Sequence, residues 1–159
     1  SHKVLFQGFQ FVKERAYDAE FGFDLGNTQA VIAAIEQVML QAKQMKENAR
    51  LYHSSPLGVR FVKRSKAFLA VEYERDVAYI DTPFLLRTNG TENMLERSQQ
   101  IMLENGGIPH WGKSNSILDG KSDFLEATYP MLGKWRDALK KFNPAGTFNN
   151  HFMERTGLV

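Results

Sequence analysis

Residues 67–86, AFLAVEYERDVAYIDTPFLL, decide the fold, because they hold two β-rich runs on either side of a charged dipeptide. The runs Ala67–Glu74 and Val77–Leu86 are rich in apolar, aromatic and β-branched residues, which predicts two strands joined as a β-hairpin. Pro83 has no backbone N–H to donate to a strand ladder, so it predicts an edge strand or the point where pairing ends. These residues therefore predict an antiparallel sheet.

Two segments that precede this hairpin alternate apolar and polar side chains. Residues Phe9–Leu25 do so over much of their length, and Leu57–Lys63 place Leu57, Val59 and Phe61 on one face. A period of two is typical of half-buried strands, in which successive side chains point to opposite faces. With the hairpin, these segments predict a mainly antiparallel sheet of about four to five strands.

Four segments are predicted to be helices. Thr28–Asn48 repeats apolar residues every three or four positions, which predicts an amphipathic helix that lies across the sheet. The other three follow capping residues or a proline, at Thr91–Glu104, Asp123–Tyr129 and from Pro130 to Phe142. Strands and helices in this order are typical of an α+β fold with the helices packed on one face of the sheet.

The composition excludes several classes of protein. The chain has 159 residues, of which 43% are hydrophobic, so it is one domain with a core or part of a larger protein. Its net charge of +2 comes from mixed charges, which gives no reason to expect nucleic acid as a partner. It has no cysteine, which excludes disulfides and thiolate chemistry. No apolar run approaches about 20 residues and no secretory signal is visible, so we expect a cytoplasmic protein without a membrane partner.

The first eight residues, SHKVLFQG, leave two interpretations open. Residues 4–8, VLFQG, look like the cleavage site of a viral 3C protease that expression tags carry, in which case the native sequence begins near Phe9. The alternative is that the same residues form a short native strand. In either case, residues 9–159 are expected to be a single domain.

The segment Gly106–Asn115, GGIPHWGKSN, concentrates more chemically capable groups than any other, with His110, Trp111 and Lys113 within four positions. Its glycines and proline keep it out of a regular helix. Together with Arg60, these cations beside aromatic rings could hold oxyanions or hydroxyl-rich ligands, and His110 could act as base, acid or hydrogen-bond donor. The alternative is that Lys113 and Arg60 are solvated and that His110 is a satisfied loop residue.

Other kinds of site are not visible in the sequence. There is no Gly-rich phosphate loop, no paired-histidine spacing for a metal and no nucleophile elbow. We therefore predict no metal site and no self-contained nucleotide-dependent enzyme.

Several motifs give the chain a resemblance to a known family. Gly106–Lys113, GGIPHWGK, resembles the GGxPHWGK motif of the sugar-lactone and alditol oxidases, flavoproteins of the vanillyl-alcohol oxidase superfamily. The segment Asn143–Phe152, NPAGTFNNHF, resembles their closing DPxGxFxNxF motif, with asparagine in place of the first aspartate. Pro56–Val62, PLGVRFV, resembles their PxExRFV strand, and Tyr17–Leu25 is similar to the acidic, aromatic strand that opens their C-terminal half.

The resemblance implies that residues 9–159 are the C-terminal cap, or substrate, domain of an FAD-dependent enzyme that oxidises a CH–OH group of a sugar lactone, polyol or other alcohol. FAD would be bound mainly by an N-terminal domain outside this chain, so the chain alone is expected to be inactive. His110, Lys113 and Arg60 would then be catalytic, and Lys113 and Asn150 would contact the flavin. The flavin would supply the redox chemistry, and these residues would supply orientation and charge.

One departure from the family pattern concerns the substrate. The family strand carries glutamate two residues before the arginine that corresponds to Arg60, and this chain has Gly58 there. If that carboxylate binds sugar hydroxyls, its loss favours a larger or less polar alcohol, such as a sterol. The loss also keeps open a second class of function, a binding or interaction module that has kept the fold without catalysis.

Overall fold

The computed structural model describes residues 16–159, and within that range the chain forms an α+β fold, as predicted. Its strands are β1 (Ala16–Asp24), β2 (Gly58–Val62), β3 (Val77–Leu85) and β4 (Ile108–Pro109). They form one four-stranded antiparallel sheet in the order β2-β3-β1-β4, which confirms the predicted sheet type and size. Both interpretations of residues 1–8, and the part of the alternating segment Phe9–Leu25 that precedes Ala16, lie outside the described residues.

The same range contains five helices, and the two longest pack against one face of the sheet. The helices are α1 (Thr28–Ala49), α2 (Thr91–Glu104), α3 (Ser122–Thr128), α4 (Leu132–Phe142) and α5 (His151–Thr156). Helices α1 and α2 meet around a buried Gln41, which accepts a hydrogen bond from the Ser98 hydroxyl at 3.1 Å. The sheet contributes buried side chains at alternate positions of β1 and β3 to this core, which are Ala19, Phe21, Phe23, Ala78, Ile80 and Phe84.

The opposite face of the sheet has an apolar half and a charged half. In the apolar half, Val77 and Tyr79 of β3 join Ile108 of β4 in a second buried cluster, to which α3, α4 and α5 also contribute. The charged half lies on the same face, at the other end of the strands. Its residues share this face because strand residues two apart point to the same side. It carries Asp18, Glu20, Arg60 and Asp81, and it positions the site described below.

The first run of the predicted hairpin is not a strand. Residues Ala67–Glu74 form turns, closed by backbone hydrogen bonds from Ala70 N to the Ala67 carbonyl (3.0 Å) and from Tyr73 N to the Ala70 carbonyl (3.1 Å). Strand β3 pairs instead with β2, which precedes the turns. The run forms a compact loop in which Val71 is buried against Gly22. An added Cβ at Gly22 would lie 2.5 Å from Val71 Cγ1.

Pro83 marks the end of pairing on one side of β3. The last pair between β2 and β3 is Gly58 with Asp81, two residues before the proline, while on the other side Pro83 still lies opposite Asp18 of β1. The missing N–H is therefore tolerated within an inner strand, because β2 ends before the ladder would need it.

Candidate active site

The GGIPHWGK motif begins with two glycines that the backbone requires for different reasons. Gly106 follows α2 with a φ of +82°, a left-handed conformation that glycine adopts at little cost. Gly107 has no room for a side chain, because an added Cβ would lie 2.5 Å from Phe23 Cζ and 2.8 Å from the Met102 carbonyl oxygen. The chain can therefore turn closely past the end of α2 and enter β4.

Backbone hydrogen bonds then hold the rest of the motif against β1. After β4 pairs with Phe21 and Gly22, the His110 N–H donates to the Glu20 carbonyl at 2.8 Å. The Ser114 N–H donates to the Asp18 carbonyl at 2.7 Å. Because these bonds fix the loop at both ends, they set the cationic side chains of the motif beside the acidic side chains of β1.

Trp111 and Asn115 anchor the loop on its other side. The Trp111 indole N–H donates to the Leu69 carbonyl at 2.8 Å, and its ring lies 5.2 Å from that of Tyr129 in the second cluster. The Asn115 amide is buried and donates to the Trp111 carbonyl at 3.0 Å, while its oxygen accepts from Arg155 at 2.8 Å. Trp111 is thus part of the scaffold that positions the loop.

Arg60 forms a two-point ion pair with a buried glutamate. Its Nε donates to Glu20 Oε1 at 2.5 Å and its Nη2 donates to Glu20 Oε2 at 2.9 Å. The Glu20 side chain is 4% exposed and that of Arg60 is 52% exposed, so a buried carboxylate holds a guanidinium that is half exposed to solvent. The hydrogen bond to Glu20 is the main cause that raises the pKa of Arg60, and the guanidinium also lies 4.3 Å from the centre of the Tyr79 ring. Arg60 is thus ion-paired and still half exposed to solvent, so its catalytic role stays a prediction.

His110 presents its Nε2 to the same glutamate. Its Nδ1 accepts a hydrogen bond from the Gly112 N–H at 3.0 Å, so in the neutral ring the proton is carried by Nε2. Nε2 lies 3.9 Å from Glu20 Oε2, and the ring meets that of Tyr79 edge-on at 5.7 Å. A third of the His110 side chain is exposed (34%), so Nε2–H can still reach a ligand.

Lys113 pairs with Asp18, which in turn lies against Asp81. Burial opposes the ammonium charge, but the hydrogen bond and charge of Asp18 raise the pKa of Lys113 above its ordinary value. Burial also opposes ionisation of Asp18, yet hydrogen bonds from Asp81 and Lys113 and the charges of Lys113 and His110 lower its pKa. Burial, followed by the hydrogen bond and charge of Asp18, raises the pKa of Asp81 to about 7.

A hydrogen bond between the carboxyl groups of Asp18 and Asp81 requires one of the two to be protonated. Oδ1 of each is buried and meets no other donor among residues 16–159, so two ionised groups would leave both oxygens unsatisfied. A proton on one of the two groups accounts for the opposite pKa directions of Asp18 and Asp81.

The predicted residues His110, Lys113 and Arg60 therefore meet on one face of the sheet, each beside a carboxylate of β1. Asn150 is placed differently: it caps α5, where its oxygen accepts from the Met153 N–H at 3.1 Å and its amide donates to the Phe148 carbonyl at 3.3 Å. A flavin contact by Asn150 stays a prediction.

Sequence reasoning missed the acidic partners. The period-two pattern of β1 puts Asp18 and Glu20 on one face, but that pattern is equally typical of a solvated strand. Asp81 could not be identified without the strand register, which sets it directly between Glu20 on β1 and Gly58 on β2.

The asparagine that departs from the closing motif keeps a structural role. Asn143 is buried, its oxygen accepts from the Phe148 N–H at 3.0 Å, and its amide donates to Asn149 Oδ1 at 2.8 Å. An aspartate could accept the first of these bonds in the same way. The substitution therefore leaves the turn before α5 closed.

The donor set fits a flavin and an alcohol better than a metal. Arg60, His110 and Lys113 offer partly exposed N–H groups on one side, which suits the acceptor atoms of a flavin ring and a hydroxyl oxygen. No group of three or more histidine, aspartate and glutamate side chains in the described part of the chain could hold a metal ion. No helix between residues 16 and 159 has the length and apolar character needed to cross a membrane.

Comparisons with known proteins agree on one group of enzymes. A family model described as "D-arabinono-1,4-lactone oxidase" matches residues 1–156. The chain is 32% identical to L-gulonolactone oxidase of Scyliorhinus torazame over 150 residues, which covers 87% of this chain and 33% of that protein. It is 28% identical to L-gulonolactone oxidase of Mus musculus over 125 residues, covering 76% of this chain and 28% of that protein. It is 25% identical to alditol oxidase of a Streptomyces species over 95 residues, covering 60% of this chain and 22% of that protein. The chain thus spans at most about a third of the length of these curated relatives.

Proposed function

The chain belongs to the D-arabinono-1,4-lactone oxidase family, and we propose that it is the substrate-binding cap of an FAD-dependent oxidoreductase that oxidises a CH–OH group. The observation that carries this proposal is the meeting of Arg60, His110 and Lys113 on one partly open sheet face, each beside a carboxylate of β1. The relatives named above are oxidases of lactones and alditols, so a small polyhydroxylated molecule is the proposed substrate class.

Each cation is held by a carboxylate and keeps donors for a ligand. Arg60 uses Nε and Nη2 for Glu20, so Nη1 remains for an oxygen on the open side. Lys113 is about one third exposed (32%), and an ammonium has three N–H donors, of which Asp18 uses one. Because the carboxylates fix both side chains, little reorientation is needed when a ligand binds.

His110 is proposed to orient the reacting hydroxyl. Its Nδ1 is occupied by the Gly112 N–H, so Nε2–H of the neutral ring donates a hydrogen bond and does not accept a proton. A donor at this place holds the substrate oxygen and stabilises negative charge that develops on it.

FAD, when bound, would accept the hydride from the substrate carbon, and the proton of the oxidised hydroxyl would leave to solvent on the open side of the site. We propose that Lys113 and Arg60 face it, since two fixed cations favour a ring that gains negative charge on reduction. We further propose that most FAD contacts come from another domain of the full-length protein. The chain alone is then expected to lose the yellow flavin colour on purification and to oxidise no alcohol.

The test uses full-length protein loaded with FAD, mixed without oxygen with D-arabinono-1,4-lactone, L-gulono-1,4-lactone, an alditol series or a sterol. We expect the flavin absorbance to bleach with a lactone or an alditol. Lys113→Met should lower kcat/KM by about 100-fold, because it removes a fixed charge that stabilises the transition state. Lys140→Met, at an exposed position of α4, is the matched control and should leave kcat/KM unchanged.

The other outcomes separate the remaining functions. A holoprotein that binds FAD but bleaches with none of these alcohols would leave the non-catalytic binding module as the better description. Bleaching by the sterol alone would keep the CH–OH oxidation and replace the proposed substrate class with bulkier alcohols.

A further inference from the structure

Asp81 occupies the centre of a row of three residues on the charged half of the sheet. It lies opposite Glu20 of β1 on one side and opposite Gly58 of β2 on the other. Both carboxylate oxygens of Glu20 bind Arg60. The carboxyl group of this row that is not used in a two-point ion pair, and could therefore bind a ligand, is that of Asp81.

The absence of a side chain at Gly58 leaves the Asp81 carboxyl uncovered on that side. An added Cβ at Gly58 would lie 3.2 Å from Asp81 Cβ and 3.5 Å from Asp81 Oδ2. The space beside Gly58 is therefore bordered directly by Oδ2, and a side chain there would crowd it.

The two oxygens of Asp81 have different surroundings. Oδ1 is buried and has no hydrogen-bond partner among residues 16–159. Oδ2 borders the space at Gly58, and Arg60 lies two residues further along β2 on the same strand face. This arrangement leaves Oδ2 as a hydrogen-bond acceptor on the same face as the donors of Arg60, His110 and Lys113.

We propose that Asp81 is a further substrate-contacting residue, whose Oδ2 accepts a hydrogen bond from a substrate hydroxyl in the space beside Gly58; this rests on the function proposed above. Polyols and sugar lactones carry hydroxyl groups on adjacent carbons, so one hydroxyl can meet the cations while its neighbour meets Asp81. The carboxylate that Gly58 lacks is then supplied by the facing strand, and a polyhydroxylated substrate remains compatible with this chain.

The electrostatic surroundings make this contact sensitive to pH. Asp81 is surrounded by the charges of Asp18 and Glu20 from β1, Lys113 from the loop and Arg60 from β2. Burial and the neighbouring Asp18 raise the pKa of Asp81 to about 7, so the group gains its negative charge as the pH rises through neutrality. A hydroxyl donates a stronger hydrogen bond to the ionised form than to the protonated form.

The experiment compares Asp81→Asn with the wild type in the full-length, FAD-loaded protein. The substrates are the lactone or alditol that bleaches the wild type fastest and its singly deoxygenated analogues. We expect Asp81→Asn to lower kcat/KM about 10- to 100-fold on the intact substrate, the effect of losing a hydrogen bond to a charged group. With the wild type, kcat/KM should be lower by a similar factor for the analogue that lacks the contacted hydroxyl than for the intact substrate. With Asp81→Asn, kcat/KM should differ little between this analogue and the intact substrate.

A pH profile and two further variants distinguish the loss of a substrate contact from a structural change caused by the substitution. Wild-type kcat/KM should rise through about pH 7 with the ionisation of Asp81, and Asp81→Asn should lack that rise. Asp137→Asn, at an exposed position of α4, should behave as the wild type. Asp81→Ser replaces Asp81→Asn if the latter does not retain FAD.

Equal discrimination by wild type and variant against every deoxygenated analogue would overturn the proposal, as would an unchanged pH profile in the variant. Failure of the wild type itself to bleach with any alcohol would instead refute the proposed function.

Discussion

Asp18 and Asp81 place two carboxyl groups beside each other on neighbouring strands, close to Lys113. Two negative charges at this distance repel each other, so the protein holds one proton more than two isolated aspartates would. The pair therefore destabilises the folded state when both groups are ionised. The ionised form of Asp81 is also the form proposed to accept a hydrogen bond from the substrate.

Asp81→Asn should make the protein more stable at pH 8, and the gain should be smaller at pH 5. The folded-state pKa of Asp81 is about 7, above the ordinary value of 3.8, so the folded state binds the extra proton and stability falls as the pH rises between these values. Asparagine removes that fall because it carries no charge. Because the group is partly exposed to water, we expect a discounted gain of about 1–2 kcal/mol at pH 8.

Urea unfolding of the wild type and of Asp81→Asn at pH 5 and pH 8 measures this difference. Equal stabilities at both values would contradict the raised pKa of Asp81. Together with the loss of kcat/KM proposed above, a gain in stability would identify Asp81 as a residue kept for function at a cost to folding.

The residue scale also marks the limit of what the sequence could predict about the site. His110 and Lys113 stand in a recognisable motif, and Arg60 stands in a second one, so they could be identified from the sequence. Their partners depend on contacts across the sheet: Arg60 and Glu20 are 40 positions apart, and Lys113 and Asp18 are 95 apart. A period-two pattern shows the face of a strand on which a side chain lies, but it does not give the register that brings these pairs together.

Among the elements, the loop between α2 and Asn115 depends on backbone geometry more than on side-chain chemistry. Two glycines bring it past Phe23, and hydrogen bonds to the carbonyls of Glu20 and Asp18 hold it along β1. The spacing of His110 and Lys113 on the sheet face follows from those bonds.

Gly107→Ala should destabilise the protein by about 2–3 kcal/mol, because its methyl group would overlap Phe23 and the Met102 carbonyl in a closely packed place. Gly133→Ala is the matched control: it lies in α4 with no atom within 4 Å of the added Cβ, so alanine should be neutral or stabilise by up to about 1 kcal/mol. Thermal unfolding of both variants decides between the two effects. Similar melting temperatures for Gly107→Ala and the wild type would show that the loop has more room than the structure gives it.

The elements that could be predicted are those whose pattern is local. The periodicity of Thr28–Asn48 identified α1 to within a residue, and alternation identified β2. The run Ala67–Glu74 has the same local pattern as a strand, yet it folds into turns. Its Val71 is buried against Gly22 of β1, and that contact, which is remote in the sequence, overrides the strand preference of the run.

The whole molecule is asymmetric about its sheet. One face is closed by α1 and α2, while the other is closed by α3–α5 over only half of its length. Large apolar side chains also remain on the surface, with Phe61 and Phe142 each 72% exposed. Because the relatives are about three times as long as this chain, we propose that another part of the full-length protein covers some of this surface.

The chain produced alone should therefore self-associate in size-exclusion chromatography as its concentration rises, whereas the full-length protein should elute at a constant volume. Phe61→Ser should reduce this association, because it removes one of the most exposed apolar side chains. The matched control is Ile80→Val, a conservative change in the closed core, which should not alter the elution volume. A wild-type chain that stays monomeric over the whole concentration range would show that this surface needs no cover.

The row formed by Glu20, Asp81 and Gly58 also has a consequence for protein engineering. Main-chain bonds hold all three strands, and a side chain at position 58 would press on Asp81, so positions 58 and 81 should be varied together. A combinatorial library limited to these two codons would sample a carboxylate on either strand, on both or on neither. Selecting such a library on different alcohols would turn one pair of facing residues into an adjustable determinant of substrate preference, and the combination of Gly58→Glu with Asp81→Asn is the first member to make.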